Sequence, residues 1–168
     1  MTLFMKNVSK KLLSSPLFLF IRLTQGIKAD TLFDLYCGSG TISQILSDNI
    51  GKAIGVEINK EAIDAAKKNA ELNNADNCAY ICGDVLEVID NIKCRPDVVV
   101  LDPPRAGIHP KALGKIAVFG SKYILYISCN PATLIKDLIY LTENNYKAQR
   151  LAIVDMFPHT PHVESVVL

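Results

Sequence analysis

Short apolar runs alternate with helix-patterned segments along most of the chain, and this alternation limits the fold more than any other feature. Apolar runs lie at 31–34, 53–57, 79–82, 97–101 and 123–128. Helical patterns follow the first, second and fifth of them, at 41–47, 59–72 and 131–142. Such alternation predicts βαβ units and an α/β fold with a mostly parallel sheet. Two further strands, at 148–154 and 163–168, are expected to form an antiparallel hairpin at the edge of a seven-stranded sheet.

Composition limits the size of the fold and the way it could bind a polyanion. A chain of 168 residues, 49% hydrophobic and 21% charged, fits one globular domain with a substantial core. The formal net charge is +1, which argues against a broad basic face that binds nucleic acid alone. A local basic groove, or a partner that supplies the affinity, stays possible.

The five cysteines are an odd number at irregular spacing, and no signal peptide is recognised, so a reducing cytoplasm is expected. The gaps between Cys78, Cys82 and Cys94 match no common zinc or iron–sulfur pattern, and we expect no metal site. The apolar segment 12–23 is shorter than the roughly 20 residues of a membrane-spanning helix. No membrane association is expected.

A glycine turn and two acids mark successive strand ends. Gly38 and Gly40 follow the first strand, but Ser43 stands where the dinucleotide fingerprint has its third glycine. Glu57 ends the second strand, where an acid can accept both ribose hydroxyls, and Asp84 follows the third, where it could meet an adenine amino group. A purely structural turn and helix-capping acids are the alternatives. Together the three features favour S-adenosylmethionine over a nicotinamide cofactor.

A second group of residues suggests covalent chemistry. Cys129 ends the strand 123–128, at the edge where open α/β sheets place ligands; a buried core thiol is the alternative. Asp102 opens the rigid turn Asp-Pro-Pro-Arg after the fourth strand, where a helix cap is the alternative. Glu164 comes late in the chain. A thiol and two carboxylates together would suit addition to a planar substrate.

Four motifs occur in a fixed order: Asp34–Gly38, Asp102–Gly107, Ser128–Leu134 and Asp155–Glu164. Together they resemble the catalytic domain of the RNA (uracil-5-)-methyltransferases, over about residues 29–168. The resemblance implies a Rossmann-like class I methyltransferase fold. It also implies methylation of carbon 5 of a uridine in ribosomal or transfer RNA, with S-adenosyl-L-methionine as methyl donor.

The resemblance also implies a role for each candidate residue. Cys129 resembles the nucleophile that adds to carbon 6 of uracil, and Glu164 resembles the base that removes the proton from carbon 5. The candidate cofactor-binding residues are Tyr36, Gly38, Gly40, Glu57, Asp84 and Asp102. The candidate substrate-binding residues are Asp102, Arg105 and Asn130.

The family normally carries an RNA-binding β-barrel and a central domain before the first motif, and residues 1–28 do not match them. We therefore expect an atypical or remnant segment at 1–28 and a catalytic domain at 29–168. One hypothesis is a working uridine methyltransferase that obtains RNA affinity from a partner or a further domain. The other is a truncated remnant that binds the cofactor with weak turnover or none.

Overall fold

A computed structural model of the chain describes residues 23–155 and 163–168. The expectation for segment 1–28 therefore lies mostly outside the described residues, as do His159 and His162 of the last motif.

Seven strands and five α-helices lie within the described residues, in alternation over most of the chain. The strands are β1 (Ala29–Leu35), β2 (Ile50–Glu57), β3 (Cys78–Cys82), β4 (Val98–Leu101), β5 (Tyr123–Ser128), β6 (Leu151–Val154) and β7 (Glu164–Val167). The helices are α1 (Thr41–Leu46), α2 (Lys60–Leu72), α3 (Val85–Val88), α4 (Pro110–Val118) and α5 (Pro131–Glu143). Short 3-10 turns at Ser47–Asn49 and Ile89–Asn91 extend α1 and α3. The alternation predicted from the apolar runs is confirmed.

All seven strands form one sheet in the order β3-β2-β1-β4-β5-β7-β6. Strands β1 to β5 are parallel, and β7 runs antiparallel to both β5 and β6. The mostly parallel sheet with an antiparallel edge is thus confirmed. Strand β7 lies between β5 and β6, and β6 is the outermost strand of the sheet. Three of the four β7 residues are buried, whereas the β6 residues are exposed or half-buried.

Helices cover both faces of the sheet, so the central strands are buried on both sides. Phe33 and Leu35 of β1 pack into a cluster with α3, α4 and α5, whereas Leu32 between them packs into a cluster on the opposite face. Burial on both faces explains why β4 and β5 are continuous apolar runs and not alternating ones.

The strand order reverses between β1 and β4. The chain runs outward from β1 through β2 to β3, and then returns to place β4 on the other side of β1. In open α/β sheets, the crevice beyond the carboxyl ends of the strands at such a reversal is where ligands bind. The glycine turn follows β1 and Asp102 follows β4, the two strands that border this crevice, and the other candidate residues lie at the same end of the neighbouring strands. Among the described residues, no helix combines the length and apolar character needed to cross a membrane.

Candidate active site

The chain turns sharply after β1, through backbone conformations that favour glycine. Tyr36, Gly38 and Gly40 have φ angles of 68°, 51° and 74°. The amides of Tyr36 and Cys37 both donate to the Val56 carbonyl, at 2.9 and 3.0 Å, and tie the turn to β2. A Cβ built on Gly38 would meet nothing within 4 Å. The backbone of the turn is therefore open on that side and can be approached closely.

Tyr80 of β3 supports the glycine turn from the core. A Cβ on Gly40 would lie 2.5 Å from the Tyr80 hydroxyl, so this position requires glycine. The hydroxyl lies 3.1 Å from Ser43 Oγ and accepts a hydrogen bond from Gln44 Nε2 at 3.1 Å. Burial raises the pKa of Tyr80 to about 12, so the phenol stays protonated. The role of Tyr80 leaves no signal in the sequence, because nothing in a strand sequence shows that a tyrosine faces a distant glycine.

Asp34 is completely buried beneath the same turn. Its Oδ2 accepts a hydrogen bond from the Ser43 amide at 3.1 Å, whereas Oδ1 has no hydrogen-bond partner among the described residues. Burial is the main cause that raises the pKa of Asp34 to about 7, and the nearby charge of Asp102 adds to it. Ser43, which occupies the place of a third glycine, thus links the turn to a buried carboxyl.

Glu57 ends β2 directly beside the glycine turn. Its Oε2 accepts a hydrogen bond from the Gly38 amide at 3.2 Å, and its Oε1 accepts one from the Asn59 amide at 2.9 Å. The side chain is half-buried. Carboxylate oxygens have further lone pairs, so Glu57 can still accept hydroxyl donors from a ligand in the crevice.

Asp84 lies two residues beyond the end of β3, next to Glu57 in the sheet order. Its Oδ1 accepts from the Leu86 amide at 2.7 Å and caps α3, which is the structural role weighed as an alternative. Its charge also reaches Tyr36: burial, then Asp84 and Asp137, raise the pKa of Tyr36 to about 12. Asp84 therefore lies at the same end of the sheet as the glycine turn.

Cys129 follows β5 in a tight turn at the start of α5. Ser128 Oγ accepts from the Asn130 amide and donates to the Asn130 carbonyl, both at 3.1 Å. Asn130 Oδ1 caps α5 by accepting from the Ala132 amide at 3.1 Å, and Asn130 Nδ2 donates to the Arg105 carbonyl at 3.0 Å. The turn fixes the backbone on both sides of the half-buried thiol.

The sheet register brings Glu164 to the same end of the sheet as Cys129. Strand β7 pairs with β5 through Ile127 with Val166 and Ser128 with Ser165. Cys129 follows the last residue of β5 in this pairing, and Glu164 precedes its partner Ser165 in β7. Two residues that are far apart in the sequence thus each lie one position beyond the same registered pair, at the carboxyl end of β5.

Asp102 lies at the end of β4, close to Glu164. Its side chain is exposed at the surface, but the protein around it removes part of its solvation. This desolvation, followed by the charge of Glu164, raises the pKa of Asp102 to about 6. Burial also raises the pKa of Glu164, against an opposing effect of the Arg105 charge. Asp102 is not a helix cap: the next helix, α4, begins at Pro110 and is capped by His109.

The structure therefore brings the predicted site residues to one edge of the sheet. They are Tyr36, Gly38, Gly40, Glu57, Asp84, Asp102, Arg105, Cys129, Asn130 and Glu164. Within residues 23–155 and 163–168 no group of three His, Cys, Asp or Glu side chains is placed to hold a metal ion. The arrangement places a glycine turn with an open side, a thiol and two carboxylates at the carboxyl ends of the parallel strands.

Comparison with known proteins identifies the family. A family model described as tRNA (uracil-5-)-methyltransferase matches residues 7–92 and 84–168 of this chain. The chain belongs to this family. An uncharacterized RNA methyltransferase of Clostridium tetani is 53% identical over 140 residues, and another from Caldanaerobacter subterraneus is 46% identical over 138 residues. These matches cover 83% and 82% of the chain and 31% of each relative.

Solved methyltransferase structures share the fold of this chain. The Pyrococcus abyssi tRNA (uracil-54, C5)-methyltransferase, in complex with S-adenosyl-L-homocysteine, superposes with a TM-score of 0.78 at 33% identity. The match covers 89% of this chain and 36% of that one. The precorrin-6y C5,15-methyltransferase of Geobacter metallireducens superposes with a TM-score of 0.72 at 16% identity, over 97% and 90% of the two chains. The expected Rossmann-like class I methyltransferase fold is confirmed, and the chain spans about a third of the length of its curated relatives.

Proposed function

We propose that this chain contains the catalytic domain, residues 29–168, of an enzyme that methylates carbon 5 of a uridine in ribosomal or transfer RNA. The observation that carries the proposal is that Cys129 and Glu164 each lie one residue beyond the last registered β5–β7 pair, with Asp102 at the end of the neighbouring strand β4. A nucleophile and a base at one edge are what this reaction needs, because carbon 5 of uracil is a poor nucleophile until carbon 6 is attacked. The two curated relatives and the Pyrococcus abyssi protein are named as RNA or tRNA methyltransferases, which supports RNA as the substrate class.

The crevice fits S-adenosyl-L-methionine as methyl donor. Bound there, it would supply an electrophilic methyl group on a sulfonium. The open side of Gly38 leaves room for close approach to the turn, and Tyr36 and Gly40 complete the turn. Glu57 would accept the ribose hydroxyls and Asp84 the adenine amino group. The S-adenosyl-L-homocysteine complex of the Pyrococcus abyssi relative supports this assignment.

The reaction then follows from the side chains at the edge. The Cys129 thiolate adds to carbon 6 of uracil, forming a carbon–sulfur bond and an enolate. Carbon 5 of the enolate takes the methyl group, and the donor leaves as the neutral thioether. Glu164 removes the remaining proton from carbon 5. The electron pair of that C–H bond expels the Cys129 sulfur, which restores the thiolate and the double bond.

The neighbouring residues would orient the uracil. Asp102 lies between the cofactor end and the reacting end of the crevice, so it can contact both ligands. Arg105 is exposed at the same edge and could pair with an RNA phosphate or with a carboxylate. Asn130 joins the Arg105 loop to the Cys129 turn through its amide, and we propose that it lines the substrate site in this way.

The net charge of +1 favours RNA affinity that comes from a partner or a further domain. It also supports the second candidate, in which this chain binds the cofactor but turns over weakly or not at all. We infer a cytoplasmic location, which is supported by five cysteines that are all free thiols.

The test is to incubate the chain with labelled S-adenosyl-L-methionine and an unmodified RNA transcript, and to digest the RNA to nucleosides. We expect the label in 5-methyluridine for the wild type, and none for Cys129→Ala. The matched control is Cys94→Ala, which removes an exposed thiol that is not among the candidate site residues. Label in another nucleoside would refute the proposal. Binding of S-adenosyl-L-homocysteine without any transfer would favour the second candidate.

A further inference from the structure

A buried polar pair joins β5 to α5 behind the site. Tyr126 is 1% exposed and Asp137 is 9% exposed. The Tyr126 hydroxyl donates to Asp137 Oδ2 at 2.5 Å. Burial, followed by this hydrogen bond, raises the pKa of Tyr126, so the hydroxyl keeps its proton and acts as donor. A buried carboxylate is costly unless it is hydrogen-bonded, so the chain carries a polar contact where apolar residues could pack.

The same carboxylate oxygen also holds the loop that follows β4. Asp137 Oδ2 accepts a second hydrogen bond from the Ile108 amide, at 3.3 Å. The loop passes so close to α5 that a Cβ on Gly107 would lie 3.1 Å from Thr133 Cβ and 3.5 Å from Asp137 Oδ2. Gly107, with a φ of 82°, permits this approach.

Two contacts therefore attach this loop, residues 102–109, to α5. The first is the Asn130 amide on the Arg105 carbonyl, at the beginning of the helix. The second is Asp137 on the Ile108 amide, about two turns further along. The loop carries Asp102 and Arg105, and the beginning of α5 carries Cys129. The position of the Asp102 carboxylate relative to the Cys129 thiol thus depends on both of these hydrogen bonds.

We propose that Asp137, oriented by the Tyr126 hydroxyl, is a positioning residue for the reaction. It holds loop 102–109 against α5 and so sets Asp102 and Arg105 relative to Cys129. The inference rests on the proposed function. Asp137 itself touches neither ligand in this scheme, because its carboxylate is engaged inside the protein.

The test compares Tyr126→Phe, Asp137→Ala and Asp137→Asn in single-turnover methyl transfer at saturating RNA and methyl donor. We expect Tyr126→Phe and Asp137→Ala to lower the transfer rate about tenfold or more, with the dissociation constant of S-adenosyl-L-homocysteine changed less than twofold. Asp137→Asn keeps an oxygen acceptor for the Ile108 amide and should recover part of the rate lost in Asp137→Ala. A parallel loss of rate and of cofactor affinity would overturn the proposal.

The matched control is Tyr146→Phe, which removes the same phenolic oxygen near the opposite end of α5. Tyr146 is half-buried and lies outside the site. We expect its transfer rate to equal that of the wild type. An equal loss of rate in Tyr146→Phe and Tyr126→Phe, at equal folded fraction by urea denaturation, would show a general packing effect and overturn the proposal.

Hydrogen exchange separates this inference from the proposed function. The Ile108 amide and its neighbours in loop 102–109 should lose protection in Asp137→Ala, while β4 and β5 keep theirs. Unchanged protection of Ile108 would overturn the inference even if the wild type methylates uridine. If the Ile108 amide loses protection in Asp137→Ala but the wild type methylates no uridine, the loop contact is supported and the proposed function is refuted.

Discussion

Substitution of Asp34 by asparagine tests the buried carboxyl beneath the glycine turn. Asp34 is 0% exposed, and burial raises its pKa from 3.8 to about 7. Asparagine has nearly the same shape and can still accept from the Ser43 amide, but it cannot ionise. The substitution therefore removes the pH dependence of this one group and leaves the packing of the turn nearly unchanged.

The magnitude follows from the two pKa values. Because the folded-state pKa is raised, the folded state binds the proton more tightly than the unfolded state. The resulting stability is fully present below pH 3.8 and is lost as the pH rises toward 7. The difference between these two pKa values corresponds to about 4 kcal/mol in total, of which roughly 2–3 kcal/mol falls between pH 5 and pH 8.

Urea denaturation of the wild type and Asp34→Asn between pH 5 and pH 8 measures this difference. We expect the free energy of unfolding of the variant to rise relative to the wild type by roughly 2–3 kcal/mol across that range. Asp76→Asn, at an exposed carboxyl, controls for the change of side chain. A difference between Asp34→Asn and the wild type that stays constant with pH would refute the reasoning.

Two further predictions test the turn and the carboxylate pair. In Gly55→Ala the new Cβ would lie 2.5 Å from Tyr80 Cδ1 and 2.8 Å from Cys37 Sγ, so we expect a loss of about 1–3 kcal/mol in the free energy of unfolding; an unchanged urea midpoint would contradict it. Glu164→Gln removes the charge that helps raise the pKa of Asp102 to about 6. Carboxyl-carbon NMR titration should then find a lower Asp102 pKa, and an unaltered value would mean that the two carboxylates do not face each other.

The predicted fold followed from local sequence patterns, and each error in its element boundaries or helices has a physical cause. The apolar runs predicted all seven strands, but β2 begins at Ile50 and not at Ala53, because pairing of Ala29 with Ile50 extends both strands. Helix α4 was not predicted. Its cap is His109 and not one of the usual Ser, Thr, Asp or Asn caps, and Gly114 interrupts its helical pattern.

The predicted site depended on residues whose chemistry shows in the sequence. Cys129, Glu164 and Asp102 stand in motifs, and the turn glycines follow a strand end. Tyr80, Tyr126 and Asp137 were not selected, because their roles come from partners that only the folded chain brings near. Tyr126 and Asp137 lie 11 residues apart, on a strand and a helix whose relative placement no local pattern specifies. The placement of β7 between β5 and β6 likewise depends on tertiary packing.

The most direct measurement of the central claim uses an RNA that carries 5-fluorouridine. Fluorine replaces the proton that Glu164 would remove, so the bond between Cys129 and carbon 6 cannot be broken after methyl transfer. We predict a covalent protein–RNA complex in which mass spectrometry maps the methylated nucleotide to Cys129. The complex should be absent in Cys129→Ala and present in Cys94→Ala. A complex that persists in Cys129→Ala, or that maps to another cysteine, would contradict the account.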